Sequence, residues 1–85
     1  MLVTVGECVR GVVVKTNKTD GYFVVLTADS AILQVLCLHP LYYPGGISFS
    51  YVDSKPQELA ICDVESVFGL LEKIAPALVK SLSHP

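Results

Sequence analysis

Gly11-Val12-Val13-Val14-Lys15-Thr16-Asn17-Lys18-Thr19-Asp20-Gly21-Tyr22-Phe23-Val24-Val25-Leu26-Thr27-Ala28-Asp29-Ser30-Ala31-Ile32-Leu33-Gln34-Val35-Leu36 decides the fold class of this chain. Runs of β-branched and aromatic residues are separated by two short polar stretches, which predicts three consecutive strands joined by turns. Asn17 to Gly21 has hairpin-turn chemistry: Asn and Asp bond their own backbone, and Gly accepts positive φ. From Tyr22 to Thr27 both alternating sets of side chains are apolar, so this second strand is central or covered on both faces. Ala28-Asp29-Ser30 is the next turn, and the third strand runs from Ala31 to Leu38.

Outward from this core, Val3 to Lys15 reads as the first strand region, with Gly6 and Gly11 as interruptions. Gly11 is placed either to bend a strongly curved strand or to break it in two. His39-Pro40-Leu41-Tyr42-Tyr43-Pro44-Gly45-Gly46 is a connection in which prolines and glycines forbid a long helix. A fourth strand is predicted from Ile47 to Asp53 and a fifth from Glu58 to Asp63. The period then changes. Val64, Val67, Phe68, Leu71, Ile74, Ala75, Leu78 and Leu82 recur at helical spacing, with Asp63 as N-cap and Lys80 near the far end. This predicts a C-terminal α-helix over 64–82, kinked or split at Pro76.

The chain of 85 residues is expected to form one domain, residues 1–85, mainly β, with a five-stranded barrel over 3–63 and the helix closing or extending it. Hydrophobic residues make up 52% and charged residues only 16%, which reads either as apolar surface that a second subunit covers or as the well-filled core of a heat-adapted protein. The net charge of −2, with no basic run, disfavours strong independent binding to nucleic acid, whose phosphates demand a basic face. Cys8, Cys37 and Cys62 are odd in number and widely spaced, the usage of apolar thiols in a reducing, intracellular compartment such as cytoplasm or nucleus. Met1 to Val5 lacks a basic signal-peptide start. The uncharged interval from Ser30 to Val52 is broken by prolines and glycines and reads as strand, turn, strand, not as a membrane span.

Gly11-Val12-Val13, Gly21-Tyr22-Phe23, Leu26-x-x-Asp29 and the apolar start at Ala31 resemble the first three strands of OB-fold nucleic-acid-binding domains. Ala60-Ile61-Cys62-Asp63-Val64, followed by Phe68 to Leu82, is similar to the small OB subunits of replication protein A and the telomere-capping CST complex. A small SH3-like or Sm-like barrel is the competing fold. The resemblance implies a non-catalytic subunit of a single-stranded DNA- or RNA-binding complex in replication or genome maintenance. Its partner would be a larger OB-fold subunit, or a second copy of the chain, docked on the C-terminal helix through Val64, Val67, Phe68, Leu71, Ile74 and Leu78. Single-stranded nucleic acid would be reached through that complex, or directly by the isolated domain.

For direct contact the candidates are Lys15, Lys18, Tyr22, Gln34, Tyr42 and Tyr43: lysines for phosphates, tyrosines as stacking platforms. The same residues also suit solvated turn lysines and rim tyrosines. Phe23, Phe49 and Tyr51 belong to the same aromatic set and read either as further stacking platforms or as core. No catalytic constellation is visible: His39 and His84 lack a spaced carboxylate or nucleophile, and there is no phosphate-binding glycine loop. Cys37-x-His39 offers two ligands with no second pair, so neither a metal nor any other cofactor is expected.

Overall fold

A computed structural model of the chain describes residues 3–17 and 21–83. The candidate Lys18, most of the Asn17–Gly21 turn and His84 lie outside the described residues.

The β-branched runs form the strands their composition demands. These are β1 (Val12–Thr16), β2 (Tyr22–Asp29), β3 (Ile32–Tyr43), β4 (Gly46–Val52), β5 (Gln57–Ala60) and β6 (Val64–Leu70). All pairings are antiparallel, in the order β4-β3-β2-β1-β6, with β5 beside the first half of β3. The fold is therefore mainly β, as its sequence requires. Among the described residues it has six strands, not five, and β4 and β6 share no ladder, so the sheet is not closed into a barrel by backbone hydrogen bonds. Side chains bridge the gap: the Phe49 ring of β4 and the Phe68 ring of β6 lie 6.4 Å apart, and Ser48 Oγ donates to the Ile74 carbonyl at 3.3 Å.

The helix expected over 64–82 is corrected at both ends. Val64–Leu70 is a strand paired with β1, and helical structure is confined to α1 (Leu71–Ile74), a 3-10 turn at Pro76–Leu78, and α2 (Lys80–Ser83). The physical reason lies in the register. Val13 pairs with Gly69 and Val14 with Val67, leaving Phe68 as an extra residue; Lys15 pairs with Ser66 and Thr16 with Val64, leaving Glu65 extra. Two bulges in one short strand reset the alternation of side chains, so Val64, Val67 and Phe68 mimic helical spacing. Gly69 adopts φ 153°, a conformation costly for a side-chain-bearing residue and unsuited to a helix. Pro76 sits at the first position of the 3-10 turn, where its missing N–H costs nothing.

Apolar residues are buried on both faces of the sheet. One cluster joins Val13, Val24, Leu36, Leu38 and Phe49 to Leu71, Ala75 and Leu82 of the C-terminal segment. The other joins Val12, Val14, Val25, Leu33 and Val35 to Cys8 and Val64. Adjacent residues Val24 and Val25 are each 0% exposed, as expected for a central strand covered on both sides. The C-terminal segment is fastened at its start by the Leu71 N–H donating to the Gly11 carbonyl at 2.8 Å. Arg10 ties its end, donating to the Leu82 carbonyl as well as to that of Leu26.

Leu71 is thus a core residue. Leu71→Ala is expected to lower unfolding free energy by about 2–5 kcal/mol, measured by urea titration. Val67→Ser, at a 36% exposed strand position, should change it by less than about 1 kcal/mol. Equal effects of the two changes contradict the register described here.

Candidate functional site

The uncharged interval that ends at Val52 builds a long hairpin. β2 leaves β3 after the Tyr22–Leu38 pair, whereas β4 accompanies β3 to the Tyr43–Gly46 pair. Leu41, Tyr42 and Tyr43 therefore project beyond the ladder with β2. Pro40 stands where the β3–β4 register shifts, a bulge that tolerates a residue lacking an N–H. Pro44 and Gly45 make the turn, and the Tyr43 ring lies over Gly45, where an added Cβ would meet Tyr43 Cε2 at 3.4 Å.

The hairpin exposes Leu41 (55%), Tyr42 (69%), Tyr43 (51%) and Tyr51 (53%) to solvent. No Lys, Arg, Asp or Glu occurs between His39 and Val52. The consecutive strand residues Leu41, Tyr42 and Tyr43 alternate between the hairpin's two faces, so both faces carry exposed apolar area without a formal charge, suited to burial against apolar surface and poorly suited to holding a polyanion.

At the root of the hairpin, the His39 ring stacks on Tyr51 with centroids 4.0 Å apart and planes at 11°. His39 Nε2 lies 2.8 Å from Asp53 Oδ1, and the Ser50 hydroxyl donates to the His39 carbonyl at 3.2 Å. The Asp53 N–H donates to the Cys37 carbonyl at 2.9 Å, placing its carboxylate beside Cys37 and His39. Burial, and then the charge of Asp53, push the Cys37 thiol above its ordinary range.

The five nucleic-acid candidates among the described residues are not brought into one surface. Tyr42 and Tyr43 stand on the hairpin. Lys15 pairs across the ladder with Tyr22, but its ammonium lies 3.7 Å from Glu65. Tyr22 is half-buried, with its ring 5.5 Å from Phe49 and 5.3 Å from Phe68. Gln34 donates to Glu58 at 3.2 Å beside β5. The partner-helix candidates divide likewise. Val64 and Leu71 are buried, Ile74 and Leu78 pack partly against the core, and Val67 and Phe68 remain exposed.

The sequence reading passed over Leu41 and left Tyr51 open between core and stacking surface; it is 53% exposed. The signal available was the neutral interval; the prolines and glycines of His39–Gly46 concealed that β3 continues through Tyr43 to pair with β4. Asp53 was also missed as a neighbour of Cys37 and His39, because the contact depends on the turn back from β3 to β4. Near the C-terminal segment, a pocket of about 230 Å³ is lined by Arg10, Leu70, Glu72 and Leu82 among others. It is smaller than the roughly 300–1,000 Å³ usual for ligand sites, and its Arg10 already serves two backbone carbonyls.

No protein-family model matches the chain, and neither curated proteins nor solved structures give a match.

The three thiols provide a check on this geometry. A water-soluble maleimide at neutral pH should label exposed Cys62 first and Cys37 more slowly. Cys8, 1% exposed, should react only on unfolding. Labelling of Cys8 at the rate of Cys62 contradicts the packing of the N-terminal segment.

Proposed function

We propose that this chain is a non-catalytic assembly subunit that binds a protein partner through the β3–β4 hairpin. The carrying observation is the exposure of Leu41, Tyr42, Tyr43 and Tyr51 on one hairpin, on a segment without a formal charge. Tyrosine is enriched at protein interfaces because it supplies a large, stiff contact area and a hydroxyl for the rim, while acidic and lysine side chains are depleted there. The docking element differs from the expected helix, since Leu71 and Leu82 are spent on the chain's own core.

The resemblance of the Gly11–Leu36 stretch to OB-fold domains supports a partner of the same class. It would be a larger OB-fold subunit of a single-stranded nucleic-acid-binding, genome-maintenance complex. The net charge of −2 supports indirect contact with nucleic acid through that partner. Among the described residues no helix is long and apolar enough to cross a membrane.

Affinity capture from the source cells, followed by mass spectrometry, tests the proposal against the variant Leu41→Ser/Tyr42→Ser/Tyr43→Ser. The expected result is a stoichiometric OB-fold partner held by the natural chain and lost by the variant. Val9→Ser, an exposed position in the N-terminal segment, should retain it. A partner held equally by the hairpin variant overturns the assignment. The isolated chain should show no salt-sensitive fluorescence-anisotropy response with an oligonucleotide at micromolar concentration. A response that disappears in the hairpin variant instead establishes direct stacking on Tyr42 and Tyr43, worth about 1–3 kcal/mol per base.

A further inference from the structure

We propose that Cys37, His39 and Asp53 form a binding site for a single Zn²⁺ ion at the root of the β3–β4 hairpin. One ligand atom from each residue, thiol sulfur, ring nitrogen and carboxylate oxygen, lies within 4.8 Å of the other two. Tetrahedral zinc at its usual bond lengths of about 2.0–2.3 Å sets its donors roughly 3.3–3.8 Å apart. His39 Nε2 and Asp53 Oδ1, now 2.8 Å apart, must open by about 0.5 Å, and the Cys37 sulfur must approach them by no more than about 1–1.5 Å, both within the reach of rotamer adjustment on a fixed backbone.

That backbone is already fixed. Cys37 and His39 are two residues apart on β3, so strand alternation puts both side chains on one face. Asp53 is joined to Cys37 by the 2.9 Å main-chain hydrogen bond. Stacking on Tyr51 sets the plane of the His39 ring, and the bond from Ser50 holds its carbonyl. A ligand ring oriented by its neighbours binds metal at a smaller entropic cost.

The donor set narrows the ion. A thiolate and an imidazole suit zinc and exclude magnesium and calcium, which require oxygen ligands. Thiolate and carboxylate together offset the ion's two positive charges. On binding, the Cys37 S–H bond gives its proton to solvent as the Zn–S bond forms. The His39–Asp53 hydrogen bond is replaced by one bond from each residue to zinc. The His39 and Asp53 side chains are 36% and 38% exposed, so the ion can enter from solvent.

The site differs from the hairpin's exposed apolar residues in chemistry and in test. The full chain, purified free of metal, is titrated with Zn²⁺ against a chromophoric chelator and separately with Co²⁺ as a spectroscopic substitute. The expected result is one equivalent of Zn²⁺ and a raised melting temperature. Co²⁺ should give a thiolate-to-cobalt charge-transfer band with tetrahedral visible absorption. Cys37→Ser, His39→Gln and Asp53→Asn should each weaken Zn²⁺ binding at least about tenfold, since even outer-shell losses cost that much. Cys37→Ser should abolish the charge-transfer band. Circular dichroism checks that each variant remains folded, and Cys62→Ser should bind like the natural chain. Absence of stoichiometric Zn²⁺ binding overturns the proposal. So does binding that survives Cys37→Ser and His39→Gln, or that is lost in Cys62→Ser.

Discussion

The pairing of β6 with β1 is the constraint on which the rest of the structure depends. β1 is a short, β-branched strand whose Val12, Val13 and Val14 are nearly or fully buried, pointing alternately into the two apolar clusters. Such a strand is stable only between two others, because each unpaired buried backbone group costs about a hydrogen bond's worth of desolvation. β2 supplies one side and β6 the other. With β6 in place, Leu71 emerges beside Gly11 and the following turns fold over one face of the sheet. The C-terminal segment is thereby committed to closing the fold.

That commitment determines where the chain presents surface. A domain this small and this apolar cannot hide all its hydrophobic side chains. Of those left over, Leu41, Tyr42, Tyr43 and Tyr51 stand on the β3–β4 hairpin, which outruns the sheet, while Val5, Val9, Ile32, Val67 and Phe68 are exposed elsewhere. The hairpin's neutrality distinguishes it from the charged faces elsewhere, such as the Lys15–Glu65 and Gln34–Glu58 neighbourhoods. Polar and charged groups from both sides of the hairpin root converge separately, at Cys37, His39 and Asp53.

Much of this was legible in the amino-acid order. The strands on either side of Ser30, the two-faced burial of β2, and the mainly β class follow from local composition and alternation. The Pro76 interruption was also visible, because a missing N–H acts wherever it stands. What could not be read is non-local. The bulges at Phe68 and Glu65 are defined only by the partner strand, and without that partner the apolar spacing imitates a helix. The strand character of Leu41 to Tyr43 was hidden by flanking Pro40 and Pro44, one absorbed by a bulge and the other by a turn. Lys15 and Gln34 looked available for a ligand until their acidic neighbours, Glu65 and Glu58, were placed beside them.

Heteronuclear NMR of the folded chain tests the central pairing most directly. The account predicts extended-strand chemical shifts from Val64 to Leu70 and cross-strand nuclear Overhauser contacts joining Val14 to Val67 and Val13 to Gly69. Continuous helical shifts through Val64 to Leu70, with sequential amide contacts and none to β1, contradict it.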